Sequence, residues 1–362
     1  MEIQMAKTAD YDLGEFTFPR GWFMIARADE VSKKPLNLRY FGQDMVLYRG
    51  DSGRLVLMDA YCPHMGTHIG QNETSYVVMD NEHVDGDNIR CPYHGWQFGP
   101  DGKCIEIPYS PAPIPASACI RTYPVQEWGG SVLMWHDTEQ GEPNFDPPEL
   151  PQWEDPSWVN WKIDDLGELN QHPMEVIDNM ADKAHLGPIH GSTNMEYFEN
   201  EFNDYVLVQR LAAGHRTMSE AQMINDTWYT GPGILLSKIE GDYPSMMMIS
   251  NTPIEDGLIR VFYGILVKGK NDIANEEDQA VADEYHEVSK AAFLQDFEIW
   301  FNKRPCLNVL QVIGDGPFGK TRIWYKQFYN PRDKAKDYQD QVNGVVVTRG
   351  TNRDNFEKTA AE

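Results

Sequence analysis

The chain has 362 residues, 41% hydrophobic and 24% charged, which excludes wholesale disorder and, at ~150 residues per domain, points to two domains. Acidic residues outnumber basic ones by 56 to 31, and the formal charge of −25 repels nucleic-acid phosphates and anionic lipid. No run approaches the ~18 apolar residues of a spanning helix and MEIQMAKTADYD lacks the layout of an export signal, so no nucleic acid, no membrane insertion and a cytoplasmic location are expected.

From Trp22 to His136, short alternating or apolar runs such as WFMIARADEV, DMVLYRG and SVLMWHD are punctuated by turns and predict a small all-β domain. The next stretch, GEPNFDPPELPQWEDPSW, has five prolines and no period, and is read as the domain boundary. Beyond it, Trp161 to about Asn203 reads as a strand followed by a broken helix, residues 205–267 as several strands and residues 275–304 as a long helix. The second domain is therefore expected to be mixed α+β. The polar tail from Asp333 reads as peripheral.

The sharpest motif is Cys62-Pro63-His64-Met65-Gly66 with Cys91-Pro92-Tyr93-His94-Gly95-Trp96. Two cysteines and two histidines also suit tetrahedral zinc, but zinc fingers place Cys with Cys and His with His, whereas each loop here supplies one thiolate and one imidazole. That mixing favours a Rieske [2Fe–2S] cluster, both cysteines on one iron and both histidines on the other. Gly66 and Gly95 let the backbone approach closely enough for N–H groups to donate to sulfur. His64 and Cys91 are separated by 26 residues, read as an extended hairpin with His83 solvated; neither His68 nor His83 is expected to be a ligand. Cys104, Cys119 and Cys306 have no paired spacing, and five cysteines without an export signal suit a reducing compartment.

A cluster moves one electron at a time, and a second motif offers a place to use those electrons. In Asp178-Asn179-Met180-Ala181-Asp182-Lys183-Ala184-His185-Leu186-Gly187-Pro188-Ile189-His190, residues 178, 182 and 185 fall on one helix face. His190 would lie ~140° round an unbroken helix from His185, so the Gly187-Pro188 break is what lets the two imidazoles converge. A site of two histidines and one carboxylate leaves positions open for oxygen and needs an acid from elsewhere. Asp296 is the candidate, sharing a helix face with Ala292, Phe293, Ile299 and Trp300, where an unpaired carboxylate wants a partner. Glu298 is the alternative ligand, and an ion pair of Asp296 with Lys303 or Arg304 the alternative role.

The CPHMG and CPYHGW loops resemble the Rieske domain of the Rieske non-heme iron oxygenases. With DNMADKAH, FLQDFEIW and RIWYKQFY at 322–329, the chain is most similar, within that family, to the oxygenase components of 3-ketosteroid 9α-hydroxylases. The resemblance implies an N-terminal segment (1–19) packing on the catalytic domain, an all-β Rieske domain (20–138) and an α+β catalytic domain of helix-grip type (139–362). It implies a monooxygenase component with a [2Fe–2S] cluster on Cys62, His64, Cys91 and His94, and mononuclear Fe(II) on His185, His190 and Asp296. It further implies O2 as co-substrate and a bulky apolar, steroid-like substrate. Asp182 would couple His185 to His94 of an adjacent chain in a head-to-tail homotrimer. With no G-x-G-x-x-G fingerprint, NAD(P)H is expected to act through a separate reductase or ferredoxin. Rival readings are a ring-dihydroxylating dioxygenase, an O-demethylase of the same family, or an electron-transfer Rieske protein. Met218, Trp228, Tyr229, Ile234-Leu235-Leu236 and Ser245-Met246-Met247-Met248-Ile249 are expected to line or back the substrate cavity.

Overall fold

Apolar runs separated by turn residues pair locally, and the first third of the chain is built this way. Its strands are β1 (Gly21–Arg27), β2 (Leu36–Tyr40), β3 (Gln43–Arg49), β4 (Leu55–Asp59), β5 (Val84–Asp85), β6 (Asn88–Arg90), β7 (Gln97–Phe98), β8 (Cys104–Glu106), β9 (Thr122–Tyr123), β10 (Val125–Trp128) and β11 (Ser131–His136). They form three small sheets, ordered β1-β11-β10, β2-β3-β4-β9 and β5-β6-β7-β8. The β2–β3 hairpin turns on Phe41 and Gly42, whose φ values of 54° and 68° give the double positive φ that matches strand twist. Val46, Met58, Ile69, Ile89 and Phe98 pack with Cys62 and Cys91 in one core. The spacer between the two motif loops is not a plain hairpin: it contains the short helix α1 (Tyr76–Met79) before β5. His83 within it is buried, its Nε2 2.6 Å from the carbonyl of Ile69, and not solvated as the sequence suggested. The backbone carbonyl of the neighbouring loop supplies the partner that water would otherwise provide.

The structure, a computed structural model, describes residues 5–216, 223–241 and 243–351. Met24–His136 is one unit; Met1–Phe23 with Asp137–Glu362 is the other. The division falls before the proline-rich stretch, because that stretch packs on the second unit: Asp137 pairs with Arg332, and Phe145 stacks on Tyr205 at 4.6 Å. The N-terminal segment is tied there too, Asn330 Nδ2 donating to Leu13 O at 2.9 Å and Arg20 N to Phe328 O at 2.8 Å.

The second unit is built on a nine-stranded sheet comprising β12 (Trp158–Val159), β13 (Asp164–Leu169), β14 (Ser192–Asn203), β15 (Val206–His215), β16 (Met223–Thr230), β17 (Ile234–Glu240), β18 (Ser245–Glu255), β19 (Leu258–Lys268) and β20 (Gly344–Val347). Its order is β12-β19-β18-β17-β16-β15-β14-β20, with β13 also on β19. Helices α2 (Pro173–Ile177), α3 (Glu276–Asn302), α4 (Phe318–Lys326) and α5 (Ala335–Val342) complete it. Helix α3 opens on a capping box: Asn275 accepts from the N–H of Glu277 and Asp278, and Asp278 accepts from the N–H of Asn275. Its buried stripe is Phe293, Asp296, Phe297 and Trp300, and Phe293 stacks on Tyr263 of β19 at 5.9 Å. Truncating Phe297 to Ala would cost about 3–5 kcal/mol.

Tyr263 stands in register with Ile249, Leu235 and Tyr229, and these four share the face that α3 covers. Strand alternation splits the cavity residues expected from sequence: Tyr229, Leu235, Ser245, Met247 and Ile249 lie on this face, while Trp228, Ile234, Leu236, Met246 and Met248 lie on the other. Met218 is outside the described residues.

Candidate functional site

The two motif loops close as the same turn. Gly66 N donates to Cys62 O at 2.9 Å and Gly95 N to Cys91 O at 3.0 Å, and both glycines sit at φ 72°, a region closed to most side chains. Cys62 N and Cys91 N are satisfied by the carbonyls of Thr67 and Trp96. The two sulfurs lie within hydrogen-bond reach of each other, and further donors converge on them: the N–H of His64 on Cys62, and the N–H groups of Tyr93 and His94 on Cys91. One proton held between two sulfurs lowers the Cys91 pKa and raises that of Cys62. The imidazoles of His64 and His94 stand 4.6 Å apart, and His64 stacks on Trp96, whose Nε1 donates to Tyr109 at 2.9 Å. Two thiols side by side and two imidazoles side by side, with backbone donors aimed at the sulfurs, fit a [2Fe–2S] cluster with mixed ligands. His68 is turned away, its Nδ1 accepting from Gly70 N at 3.2 Å.

The second site rests on a broken helix. α2 ends at Ile177, and only 3₁₀ turns follow, at Asp178–Met180 and Ala184–Leu186, so the single-face helix expected over 178–185 does not form. The reason is Asp182: its Oδ1 accepts from Ala184 N at 3.0 Å and His185 N at 3.2 Å, replacing the carbonyls a helix would use. The backbone carbonyl of Asp182 takes the other role, lying 2.6 Å from His185 Nδ1. That bond sets the tautomer and leaves Nε2 free to ligate. Burial works against the Asp182 carboxylate, but hydrogen bonds from His185 and Ala184 hold it below its usual range.

The His185 and His190 rings are 5.2 Å apart at 79°, and His190 Nε2 is 3.3 Å from Asp296 Oδ1. One ligand atom from each of His185, His190 and Asp296 falls within a common 4.8 Å, the spread of a single ion's donors. Asp296 is buried among Phe293, Phe297 and Trp300, whereas Ala292 and Ile299, expected beside it, are exposed. Glu298 is exposed, and Lys303 pairs with the buried Glu175 instead of Asp296.

Sequence reasoning missed the supports. Gln295 Oε1 lies 3.3 Å from His190 Nδ1, and His215 Nε2 lies 2.6 Å from His190 O. Asn200 and Gln209 donate to Met180 O at 2.6 and 3.0 Å, docking the histidine-bearing segment on β14 and β15. Asp178 is an ion-pair partner of Arg322. The one available signal was polar residues at inward positions of strands. A second group of potential ligands, Asp164, His286 and Glu287, already has its cation: Lys290 Nζ is 2.9 Å from Asp164 and 2.8 Å from Glu287.

A small β unit with a mixed Cys/His cluster site, joined to a sheet-and-helix unit with a two-histidine, one-carboxylate site, is the build of a Rieske-type oxygenase. The fold agrees: the chain superposes on NdmB of Pseudomonas putida CBB5 with a TM-score of 0.66 at 16% identity, covering 90% of this chain and 96% of that one. It superposes on dicamba monooxygenase with a TM-score of 0.57 at 18% identity, covering 89% and 97%. Residues 21–124 match the Rieske [2Fe-2S] domain, and residues 134–329 match the 3-ketosteroid 9alpha-hydroxylase C-terminal domain. A probable 3-ketosteroid-9-alpha-monooxygenase oxygenase component of Rhodococcus rhodochrous is 31% identical over 89% of this chain and 83% of its own length. A 3-ketosteroid-9-alpha-monooxygenase oxygenase component of Mycolicibacterium smegmatis is 30% identical, over 91% and 88%. A cholesterol 7-desaturase of Caenorhabditis elegans is 26% identical, over 86% and 77%. The chain belongs to the 3-ketosteroid 9α-hydroxylase oxygenase family. It is the oxygenase component of a Rieske non-heme iron monooxygenase, and the name component places the reductase on a separate chain.

Proposed function

We propose that the cluster is held by Cys62, His64, Cys91 and His94, that mononuclear iron is held by His185, His190 and Asp296, and that the protein hydroxylates a bulky apolar substrate of the steroid class. The observation that carries this is the convergence of His185, His190 and Asp296, from segments a hundred residues apart, on one ion-sized space. When bound, the iron supplies O2 activation with electrons delivered through the cluster. The chain's own residues do the rest: the Asp182 carbonyl orients His185, the docking of Met180 O on Asn200 and Gln209 holds the histidine segment, and the aromatic stripe of α3 keeps water from Asp296. Relatives named for ketosteroid and cholesterol chemistry support a fused-ring substrate.

A head-to-tail homotrimer follows in this proposal, with Asp182 relaying electrons from His94 of the neighbouring copy. Two exposed apolar surfaces support it. The cluster loops present Met65 at 64% and Tyr93 at 60% exposure, and the segment after α3 presents Leu310 at 92% and Ile313 at 80%. Gly316, which ends that segment, is packed against Ala181, next to Asp182. None of the five cysteines is in a disulfide, in keeping with a reducing, cytoplasmic setting; no helix among the described residues is long and apolar enough to cross a membrane.

The test is metal content and labelled oxygen. Three irons per chain and one atom of labelled O2 in the product of a steroid ketone support the reading. Two irons per chain would make it a carrier, two labelled atoms a dioxygenase, and released formaldehyde a demethylase.

A further inference from the structure

The helix-covered face of the sheet carries a polar patch of which the metal site uses only Gln209. Gln209, Thr227 and Ser237 are direct cross-strand neighbours on β15, β16 and β17, and Asn225, two residues before Thr227, shares their face. Thr227 Oγ1 and Ser237 Oγ are 2.7 Å apart; Ser237 Oγ donates to Asn225 Oδ1 at 2.6 Å, and Thr227 Oγ1 lies 3.2 Å from the same oxygen. Thr227 and Ser237 are buried and Asn225 is half-buried. The carboxamide oxygen is thus committed to the two hydroxyls. Its NH2, with two donors, has no partner among the described residues.

Register places this trio between the walls that carry the ligand candidates. On one side, Gln209 holds Met180 O, and Leu186, next to His185, packs against the cluster of Phe198, Leu211 and Ala213, in which Leu211 is the cross-strand partner of Asn225. On the other side, Ser237 continues in register through Met247 and Ile265 to β19, where Tyr263 meets Phe293 of the helix that bears Asp296. Around it the floor is apolar: Tyr229, Leu235, Met247 and Ile249. A fused-ring substrate offers few polar handles, so one fixed donor on such a floor decides which way round it lies. We propose that Asn225, clamped by Ser237 and Thr227, is the positioning residue that donates a hydrogen bond to a carbonyl oxygen of the substrate. The assignment rests on the steroid reading above and deepens it by specifying a ketone over a hydrocarbon.

The test compares androstanone, a steroid monoketone, with androstane, its parent hydrocarbon, as stimulants of O2 uptake by the holoprotein with a reconstituted reductase. A site built around a donor penalises the ligand that leaves it unpaired, so the unsubstituted protein should show a KM at least about tenfold lower for the ketone. Asn225→Leu should erase that ratio by raising the ketone KM, with iron content and cluster absorption unchanged. Retention of the ratio with both metals loaded overturns the proposal. Should Asn225→Leu lose metal or precipitate, Ser237→Ala, which unclamps the carboxamide, decides the matter: a smaller ratio supports the assignment and an unchanged one overturns it. Equal KM values in the unsubstituted protein defeat the Asn225 assignment alone. No stimulation by either compound, with cluster and iron loaded, defeats the steroid reading and this assignment together.

Discussion

Asp182→Ala separates two jobs that one residue performs with different atoms. Its backbone carbonyl, 2.6 Å from His185 Nδ1, fixes the imidazole, and no side-chain substitution removes it. Its carboxylate accepts from Ala184 N and His185 N at 3.0 and 3.2 Å and lies 3.6 Å from His185 Nδ1. Truncation therefore removes one local cap, worth about 1 kcal/mol. For a domain of this size that lowers Tm by about 2–4 °C. Mononuclear iron should stay near one per chain, because the His185 tautomer is unchanged. In the proposed trimer the charge next to the neighbouring copy's cluster is what disappears, and losing such a supporting carboxylate costs about 10–100-fold in function. In single-turnover mixing of reduced protein with O2 and substrate, cluster reoxidation should slow by that factor. Asp182→Asn keeps an oxygen for both N–H groups, so it should keep Tm and still reoxidise slowly. Normal reoxidation in the Ala variant refutes the relay, and loss of iron refutes the carbonyl argument.

Asp296→Ala should strip mononuclear iron while leaving the cluster's visible absorption intact, and Glu298→Gln should change neither, because Glu298 is exposed; iron analysis giving the reverse pattern would transfer the ligand. His172 is buried, with Nε2 3.1 Å from Thr8 Oγ1 and Nδ1 accepting from Met174 N, and burial pushes its pKa from 6.5 down to about 3. Between those values the unfolded chain binds a proton that the folded chain refuses. This contribution is fully present above about pH 6.5 and is lost as pH falls toward 3, at up to about 1.4 kcal/mol per pH unit. His172→Gln should flatten Tm against pH over that window, and an unaltered slope would show that another group governs it.

The sequence by itself determined where both candidate centres are to be sought. Cys62, His64, Cys91 and His94 sit in tight loops whose geometry is local, with turns closed over four residues and glycines at φ 72°, so spacing along the chain already groups them as one candidate site. Gly187-Pro188 reads as the break between His185 and His190, but Ile189 N donates to His185 O at 2.9 Å across it, and the departure from helix comes earlier, at Asp182. The tertiary structure decided whatever depends on which face meets which neighbour. Helical spacing left Asp296 and Glu298 both eligible, and packing of α3 on β19 brought the first beside His190 and left the second exposed. Strand register split the expected cavity residues between two faces and gathered Asn225, Thr227 and Ser237 from two strands. Asp182 showed the same division within one residue: its place in the motif was legible, but the chain fold alone revealed that its carboxylate unwinds the helix while its carbonyl holds the imidazole. Local turns are set by covalent neighbours and are written in order along the chain; faces and registers are set by contacts between distant segments, which a linear reading does not contain.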